Sequence, residues 1–266
     1  GHGAAYYWKG KSPAAQFFTA VPFGMNVQEM NGWLHYGGGM ELWREVHAPF
    51  NLVPFAGGST GVQMAGWFKK EINSVDDLQG LKMRIPGFGG EVLRRNGGTP
   101  VAMPGAEIFT ALQTGTLDAA EWIGPYNDLT FGFHKVAKHY YYPGWHEGGP
   151  TLECIVNKEA YESLPKDLQT IVDIAASATN DSMLAEFMAR NAFALEQIER
   201  MDDIKISPFP KDVMVAFKQA SEEIIAEIID KDPKFAKIYK SFSDYKNTVE
   251  KWTKISEYAL LQDRYE

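Results

Sequence analysis

The spacing of hydrophobic and polar residues changes near residue 157 and divides the chain into two parts. In the first part, short apolar runs alternate with turns rich in glycine and proline. The runs that predict strands lie at 51–55, 62–68, 82–85 and 151–156. Helical spacing lies between them, within 26–49 and at 89–96 and 105–114. Alternating strands and helices predict an α/β fold.

The second part begins with a single long helical pattern. Apolar residues recur at helical spacing over 165–201, and Pro165 suits the first turn of a helix because its missing N–H costs nothing there. Globular helices usually run about 8 to 20 residues, so we expect this helix to join two bodies. A short strand at 204–206 and a helix at 210–229 are predicted to follow.

The last segment, 232–266, carries an apolar seam. Asp232 and Pro233 are typical of a helix cap and first turn. From Phe235 to Ala259, apolar residues then recur every three or four positions, as in a helix that packs against another helix. Periodicity alone fits two alternatives equally well: packing on the chain's own body, and a dimerisation arm.

Charge and composition exclude several classes of protein. The 266 residues carry a net charge of -8, which disfavours a nucleic-acid-binding surface. No apolar run approaches the roughly 20 residues that a membrane-spanning helix needs. The single cysteine, Cys154, excludes an internal disulfide and a multi-cysteine zinc site. Its place in an apolar strand predicts a buried, inert thiol, compatible with cytoplasm or periplasm.

One motif suggests an enzyme. Residues 57–61, Gly-Gly-Ser-Thr-Gly, match the G-x-S-x-G nucleophile elbow of α/β-hydrolases, and acids and histidines follow downstream. The elbow must open a helix, however, and 62–68 is more typical of a strand. Glycine and serine are also ordinary turn residues. A serine hydrolase that uses Ser59 is therefore the weaker alternative.

Histidine metal sites and nucleotide sites find little support. His134 and His139 are five residues apart, whereas two ligands on one helix face are four apart. The glycines at 87–90 lack the third glycine of a dinucleotide fingerprint, and no phosphate-binding loop is present.

Three charged residues stand in apolar or glycine-rich surroundings. Arg84 lies where a strand runs into a turn, Glu121 lies between alanines and a tryptophan, and Glu147 follows Trp-His. Each alone is typical of a surface charge. Together they suit a small anion bound with a hard cation, because a guanidinium clamps a carboxylate and carboxylates bind hard cations.

Two of these residues lie in motifs that resemble a known family. The stretch 78–87 closely resembles the L-x-G-x-K-x-R-x-P strand of solute receptors of TRAP transporters, and 111–121 resembles the family's A-L-Q-x-G-x-V-D-G-x-E segment. The resemblance continues through 157–165 and covers essentially the whole chain. Residues 121–128 resemble the branch that binds 2-oxo or 2-hydroxy monocarboxylates with a metal ion.

The resemblance implies roles for particular residues. Arg84 would clamp the ligand carboxylate, and Tyr6 and Tyr7, with Trp8, would wall the pocket. The implied cation ligands are Gln63, Glu121, the carbonyl of Trp122, and Glu147. Gln63 and Trp122 would also contact the substrate. Oxygen ligands favour Na⁺ or Ca²⁺ over a transition metal. The choice between the two stays open.

The resemblance also implies a periplasmic receptor without catalysis, which passes its ligand to membrane permease subunits. The expected fold is α/β, with two lobes as in periplasmic binding proteins. Lobe I would comprise 1–62 and 150–180, and lobe II 63–149 and 190–231. The 232–266 arm would form a homodimer. The first lobe is expected to lack an N-terminal section found in the family.

Overall fold

The computed structural model describes all 266 residues and contains two β-sheets. The first sheet is antiparallel, with strand order β1-β8-β2, and its strands are β1 (His2–Gly3), β2 (Leu52–Ser59) and β8 (Thr151–Asn157). The second sheet has the order β5-β4-β6-β3-β7-β9. Its strands are β3 (Gly66–Phe68), β4 (Lys82–Arg84), β5 (Thr99–Val101), β6 (Ala119–Ala120), β7 (His139–Tyr142) and β9 (Lys205–Pro208).

Ten α-helices accompany the sheets. They are α1 (Val27–Tyr36), α2 (Gly39–His47), α3 (Gly87–Arg95), α4 (Gly105–Thr114), α5 (Pro125–Phe131), α6 (Lys158–Glu162), α7 (Lys166–Glu199), α8 (Lys211–Ile229), α9 (Pro233–Ile255) and α10 (Glu257–Tyr265). The mixture of sheets and helices confirms the predicted α/β class. None of the helices is both long and apolar enough to cross a membrane.

The chain passes between the two sheets three times. It leaves the first sheet after β2, returns to it at β8, and leaves again through α7. Helix α7 is 34 residues long and packs against both β2 and α5, so it touches elements near both sheets. This confirms the long helix predicted over 165–201, which begins after Pro165.

Aromatic residues form much of the core. In the second sheet, Trp67 and Tyr140 stack with ring centroids 4.1 Å apart. A larger cluster contains Phe18, which stacks between Trp33 and Trp43. Burying a large side chain of this kind contributes about 1.5–3 kcal/mol. The abundant aromatic residues therefore serve packing more than the walls of a cavity.

Several elements differ from the sequence-based expectation. Only Gly66–Phe68 of the predicted strand 62–68 is a strand, and the residues before it form a connection between the sheets. Strands β5, β6 and β7 were not predicted, since two to four residues are too few to show a period. Cys154 is half-buried rather than buried.

The structure shows that the serine hydrolase alternative is wrong. Strand β2 continues through Ser59, and the next element is β3 rather than a helix. The Ser59 side chain is fully buried, and its Oγ accepts a hydrogen bond from the Gly61 N–H at 3.3 Å. A nucleophile elbow requires an exposed serine at a strand-to-helix turn.

The C-terminal arm is two helices rather than one. Ser256, with φ -113° and ψ -100°, separates α9 from α10. Phe235, Ile238 and Phe242 in the first half of α9 are buried against the chain's own body. The second half and α10 expose large apolar side chains, namely Trp252, Ile255, Tyr258, Leu260, Leu261 and Tyr265. Packing on the chain's own body therefore describes the first half of α9, and a dimerisation arm stays a prediction for the exposed part.

Candidate functional site

Two neighbouring parallel strands bring Arg84 and Glu121 together. Strands β4 and β6 pair with Arg84 opposite Ala120, so Glu121 follows directly at the same edge of the sheet. The Glu121 N–H donates to the Arg84 carbonyl at 3.1 Å. Side chains at the carboxyl ends of parallel strands commonly form ligand sites. The site therefore begins with an arginine and a glutamate at adjacent strand ends.

Gln63 and Glu147 lie on two of the three chain segments that connect the sheets, one before β3 and one before β8. The Gln63 N–H donates to the Glu147 carbonyl at 3.2 Å, and the Gly144 N–H donates to the Gln63 carbonyl at 2.8 Å. A Cβ at Gly144 would lie 2.3 Å from the Gln63 carbonyl oxygen, so this close approach requires glycine. The side chains also meet, because Gln63 Nε2 donates to Glu147 Oε2 at 2.8 Å.

The Arg84 guanidinium is buried and surrounded by acceptors. Its Nη1 contacts the Glu121 carboxylate and donates to the Glu121 carbonyl at 3.1 Å, while Nη2 donates to the Tyr7 hydroxyl at 3.0 Å. The Trp122 ring lies 4.8 Å from the guanidinium carbon. Burial lowers the pKa of Arg84, but Glu121 and the nearby tyrosines outweigh this effect and raise it. Arg84 is therefore a permanent cation.

Acidic groups outnumber this cation. Glu121, His146 and Glu147 are all buried, and each offers a ligand atom within 4.8 Å of the other two. Burial, reinforced by the negative charge of Glu121, raises the pKa of Glu147 to about 7. Two carboxylates thus share one guanidinium, and bound positive charge would relieve their repulsion.

The remaining donor atoms fit a hard cation. Gln63 Oε1 is buried and has no hydrogen-bond partner, and the Trp122 carbonyl accepts no hydrogen bond within the chain. With the carboxylates of Glu121 and Glu147, these atoms make an all-oxygen donor set, which Na⁺ and Ca²⁺ prefer. The structure thus brings Gln63, Glu121 and Glu147 together, and Trp122 follows Glu121 in the chain.

Two of the three residues expected to wall the pocket lie beside the charged cluster. Tyr6 and Tyr7 lie on the single 3₁₀ turn Ala5–Trp8, with ring centroids 4.7 Å apart. Burial, with Glu147 nearby, raises the pKa of Tyr6 well above its usual value, so Tyr6 stays a neutral phenol. A cavity of about 210 Å³ borders both tyrosines, but Arg84, Glu121 and Glu147 do not line it. Trp8 instead turns towards Glu153, to which its indole N–H donates at 2.9 Å.

Sequence reasoning missed two residues beside the site. His146 Nε2 lies 3.1 Å from Glu121 Oε2, although histidines had been set aside as metal ligands. Asp128 accepts hydrogen bonds from Trp67, Tyr140 and the Ile123 N–H, and burial raises its pKa to about 7. Asp128 thereby holds the loop that follows Glu121. No spacing of acidic residues or histidines along the sequence could have identified His146 or Asp128.

A cavity of about 700 Å³ lies elsewhere, beside α7 and α5. Its lining includes one acidic side chain, Glu186, and no arginine or lysine. A carboxylate-binding site needs a convergent cation, so cavity size does not identify the site here.

A family model and several relatives match this chain. The model of bacterial extracellular solute-binding proteins of family 7, DctP, matches residues 1–232. The monocarboxylate 2-oxoacid-binding periplasmic protein of a Nostoc species is 45% identical over 97% of this chain and 70% of that protein.

Solved structures of TRAP periplasmic solute-binding proteins match as well. The protein from Colwellia psychrerythraea, with bound calcium and pyruvate, is 49% identical with a TM-score of 0.96 over 99% of this chain and 80% of that chain. The protein from Pseudoalteromonas atlantica, with bound sodium and pyruvate, is 48% identical with a TM-score of 0.95 over 98% and 80%.

A third structure was crystallised as a dimer. The Bordetella bronchiseptica protein, with calcium and picolinate in one site and the other site empty, is 41% identical with a TM-score of 0.97 over 99% of this chain and 78% of that chain. Both the family and these relatives are extracytoplasmic binding proteins rather than enzymes. The chain belongs to the DctP family of periplasmic solute-binding proteins of TRAP transporters.

Proposed function

We propose that this protein binds a small 2-oxo or 2-hydroxy monocarboxylate of the size of pyruvate together with Na⁺ or Ca²⁺. The observation that carries the proposal is the buried cluster of Arg84, Gln63, Glu121 and Glu147. One guanidinium, two carboxylates and an unpaired amide oxygen meet there. Relatives that are 48% and 49% identical hold pyruvate beside sodium and calcium respectively.

Arg84 is the proposed clamp for the ligand carboxylate. Its Nε is buried without a partner, and its planar fork matches a carboxylate with two parallel hydrogen bonds. Tyr7, whose hydroxyl meets Nη2, and the Trp122 ring keep the guanidinium in place. Tyr6 closes one side as a neutral, buried phenol.

The proposed cation ligands are Gln63 Oε1, the carboxylates of Glu121 and Glu147, and the Trp122 carbonyl. When bound, the cation supplies positive charge to these acids and to the oxygens of the ligand. Arg84, the two glutamates and a monoanionic ligand together carry a charge of -2. A divalent ion neutralises this charge fully and a monovalent ion halves it, which favours Ca²⁺ without excluding Na⁺.

The ligand class can be tested by calorimetric titration of pyruvate. The protein is treated with a chelator and dialysed into a Tris buffer free of sodium, and pyruvate is added without cation, with Na⁺, and with Ca²⁺. We expect pyruvate to bind when Na⁺ or Ca²⁺ is present and not to bind when both are absent. The matched control is Ser59→Ala, a buried serine outside the cluster, which should bind as the unchanged protein does.

Two results would contradict the proposal. The first is pyruvate binding of equal strength with and without cations. The second is no binding of pyruvate, lactate or a longer 2-oxo acid under any of the three conditions.

We further propose the arrangement of the receptor and its partners. Lobe I would comprise 1–62 and 150–180, and lobe II 63–149 and 190–231, in keeping with the division of strands between the two sheets. Membrane permease subunits would receive the ligand, as in other TRAP systems. The exposed apolar side chains from Trp252 onward would pair two copies into a homodimer, in keeping with the dimer of the Bordetella relative.

A further inference from the structure

Both carboxylate oxygens of Glu121 are held, each by a different side chain. Oε1 contacts Nη1 of Arg84, and Oε2 lies 3.1 Å from Nε2 of His146. An ionised carboxylate only accepts hydrogen bonds, so the imidazole proton in this contact is assigned to Nε2. His146 is buried and packs beside Glu121 rather than facing solvent.

We propose that His146 is a positioning residue for the bound cation. It would hold Oε2 of Glu121 and thereby direct the carboxylate towards the cation. This inference rests on the proposed function, because the cation and its ligands are assigned there. Partners of this kind, which bind a metal ligand rather than the metal, commonly change metal affinity by about 10–100-fold.

The need for His146 follows from competition at Arg84. The guanidinium contacts Glu121 here, and the proposed ligand carboxylate would claim the same guanidinium. Once Arg84 turns its donors to the ligand, the contact from His146 is the remaining side-chain hydrogen bond to Glu121. Glu121 can then serve the cation without losing its orientation.

Packing keeps the imidazole in place. The Trp145 ring meets the His146 ring edge-to-face at 5.4 Å, and Trp145 packs in turn on Phe217 at 4.3 Å. On the other side, a Cβ added at Gly89 of α3 would lie 3.2 Å from His146 Cβ. A site supported by such rigid neighbours is prepared before its ligand arrives.

The experiment compares two amide substitutions that differ only in reach. In His146→Gln, the amide N–H takes the place of the imidazole Nε2–H, whereas the shorter side chain of His146→Asn ends near the position of Nδ1. Ca²⁺ is titrated by calorimetry into each chelator-treated variant in the presence of excess pyruvate, so that the ligand carboxylate occupies Arg84. We expect His146→Asn to weaken Ca²⁺ binding by about 10–100-fold, and His146→Gln to stay within about threefold of the unchanged protein.

A matched control comes from a second buried histidine–glutamate pair. His47 Nε2 lies 3.1 Å from Glu153 Oε2, and both side chains are 2% exposed, compared with 2% for His146 and 1% for Glu121. His47→Asn should therefore lose a similar contact but keep the Ca²⁺ affinity. Thermal unfolding of all variants without Ca²⁺ separates affinity from stability.

Three results would overturn the inference. If both His146 variants bind Ca²⁺ as the unchanged protein does, the residue serves packing only. If they lose affinity equally, the Nε2–H is not what matters. If the visible absorption of bound Co²⁺ changes in His146→Gln, the histidine is itself a metal ligand. Failure of the unchanged protein to bind either Ca²⁺ or Na⁺ would instead contradict the proposed function.

Discussion

Replacing Glu147 with glutamine should have opposite effects on the cation-free and the cation-bound protein. Glu147 is a buried carboxyl beside the buried Glu121. Glutamine has nearly the same shape and keeps an oxygen that can accept the hydrogen bond from Gln63 Nε2. The substitution therefore removes a charge with little change in packing. Without a cation, the buried negative charge of Glu147 destabilises the folded protein. With a cation, the Glu147 carboxylate is a proposed ligand.

The magnitude for the cation-free protein follows from the pKa of Glu147, which burial raises from 4.5 to about 7. The unfolded chain loses this proton near pH 4.5 and the folded protein keeps it until about pH 7. The folded state thus binds more protons in this window, and stability falls as the pH rises through it. Above pH 7 the loss approaches about 3 kcal/mol, at roughly 1.4 kcal/mol per pKa unit. Glu147→Gln should recover stability of this order at pH 8 and little at pH 4.

The assay is urea unfolding at pH 4, 6 and 8 in the presence of a chelator, followed by Ca²⁺ titration at pH 8. The variant should show a flatter dependence of stability on pH than the unchanged protein. Its Ca²⁺ affinity should fall at least about tenfold, because the number of charged ligands sets affinity for this ion. The reasoning is refuted if the variant is less stable than the unchanged protein at pH 8 without cation. It is equally refuted if Ca²⁺ binds both proteins alike.

Four further substitutions test other parts of the site. Arg84→Lys keeps the charge beside Glu121 but loses the planar fork, so pyruvate affinity in calorimetry should fall about 10–100-fold, and an unchanged affinity would contradict the clamp. Tyr7→Phe removes a partly exposed hydrogen bond to Arg84 and should weaken pyruvate by about three- to tenfold; a larger loss would mean that the hydroxyl meets the ligand. Ser59→Ala should leave pyruvate binding unchanged within about twofold, and a larger loss would mean that Ser59 supports the site. Trp252→Glu places a charge on the exposed seam and should shift sedimentation from dimer to monomer, whereas an unchanged dimer would place the interface elsewhere.

The sequence predicted the long elements well and the short ones poorly. The helix over 165–201 has many apolar positions close to helical spacing, so the sequence alone could predict it. Strand β6 has two residues and β5 three, and their existence depends on pairing with β4. Such pairing is a property of the folded sheet, which no local pattern reports.

The site was predictable through motifs rather than through periodicity. Residue types singled out Arg84, Glu121 and Glu147. Their proximity, however, follows from the order of the strands and from the path of the loop that carries Glu147. The family resemblance supplied Gln63 and the Trp122 carbonyl. His146 escaped because a lone histidine in a loop has no spacing to interpret, and its meaning appears only once Glu121 Oε2 lies beside it.

The hydrogen-bonded pair of connecting segments would give a cation held by Gln63 and Glu147 a mechanical role. Two of the three passages between the sheets are tied to each other at Gln63, Gly144 and Glu147. A rotation of one sheet against the other would have to twist these two segments, which would then act as a pivot. A cation held by Gln63 and Glu147 would lie across that pivot. Rotation of the sheets and cation binding would then be coupled. Cation binding would change the equilibrium constant of the rotation by the same factor by which the rotation changes the cation affinity. Loss of the cation would therefore make rotation of the two sheets easier and so favour release of the ligand.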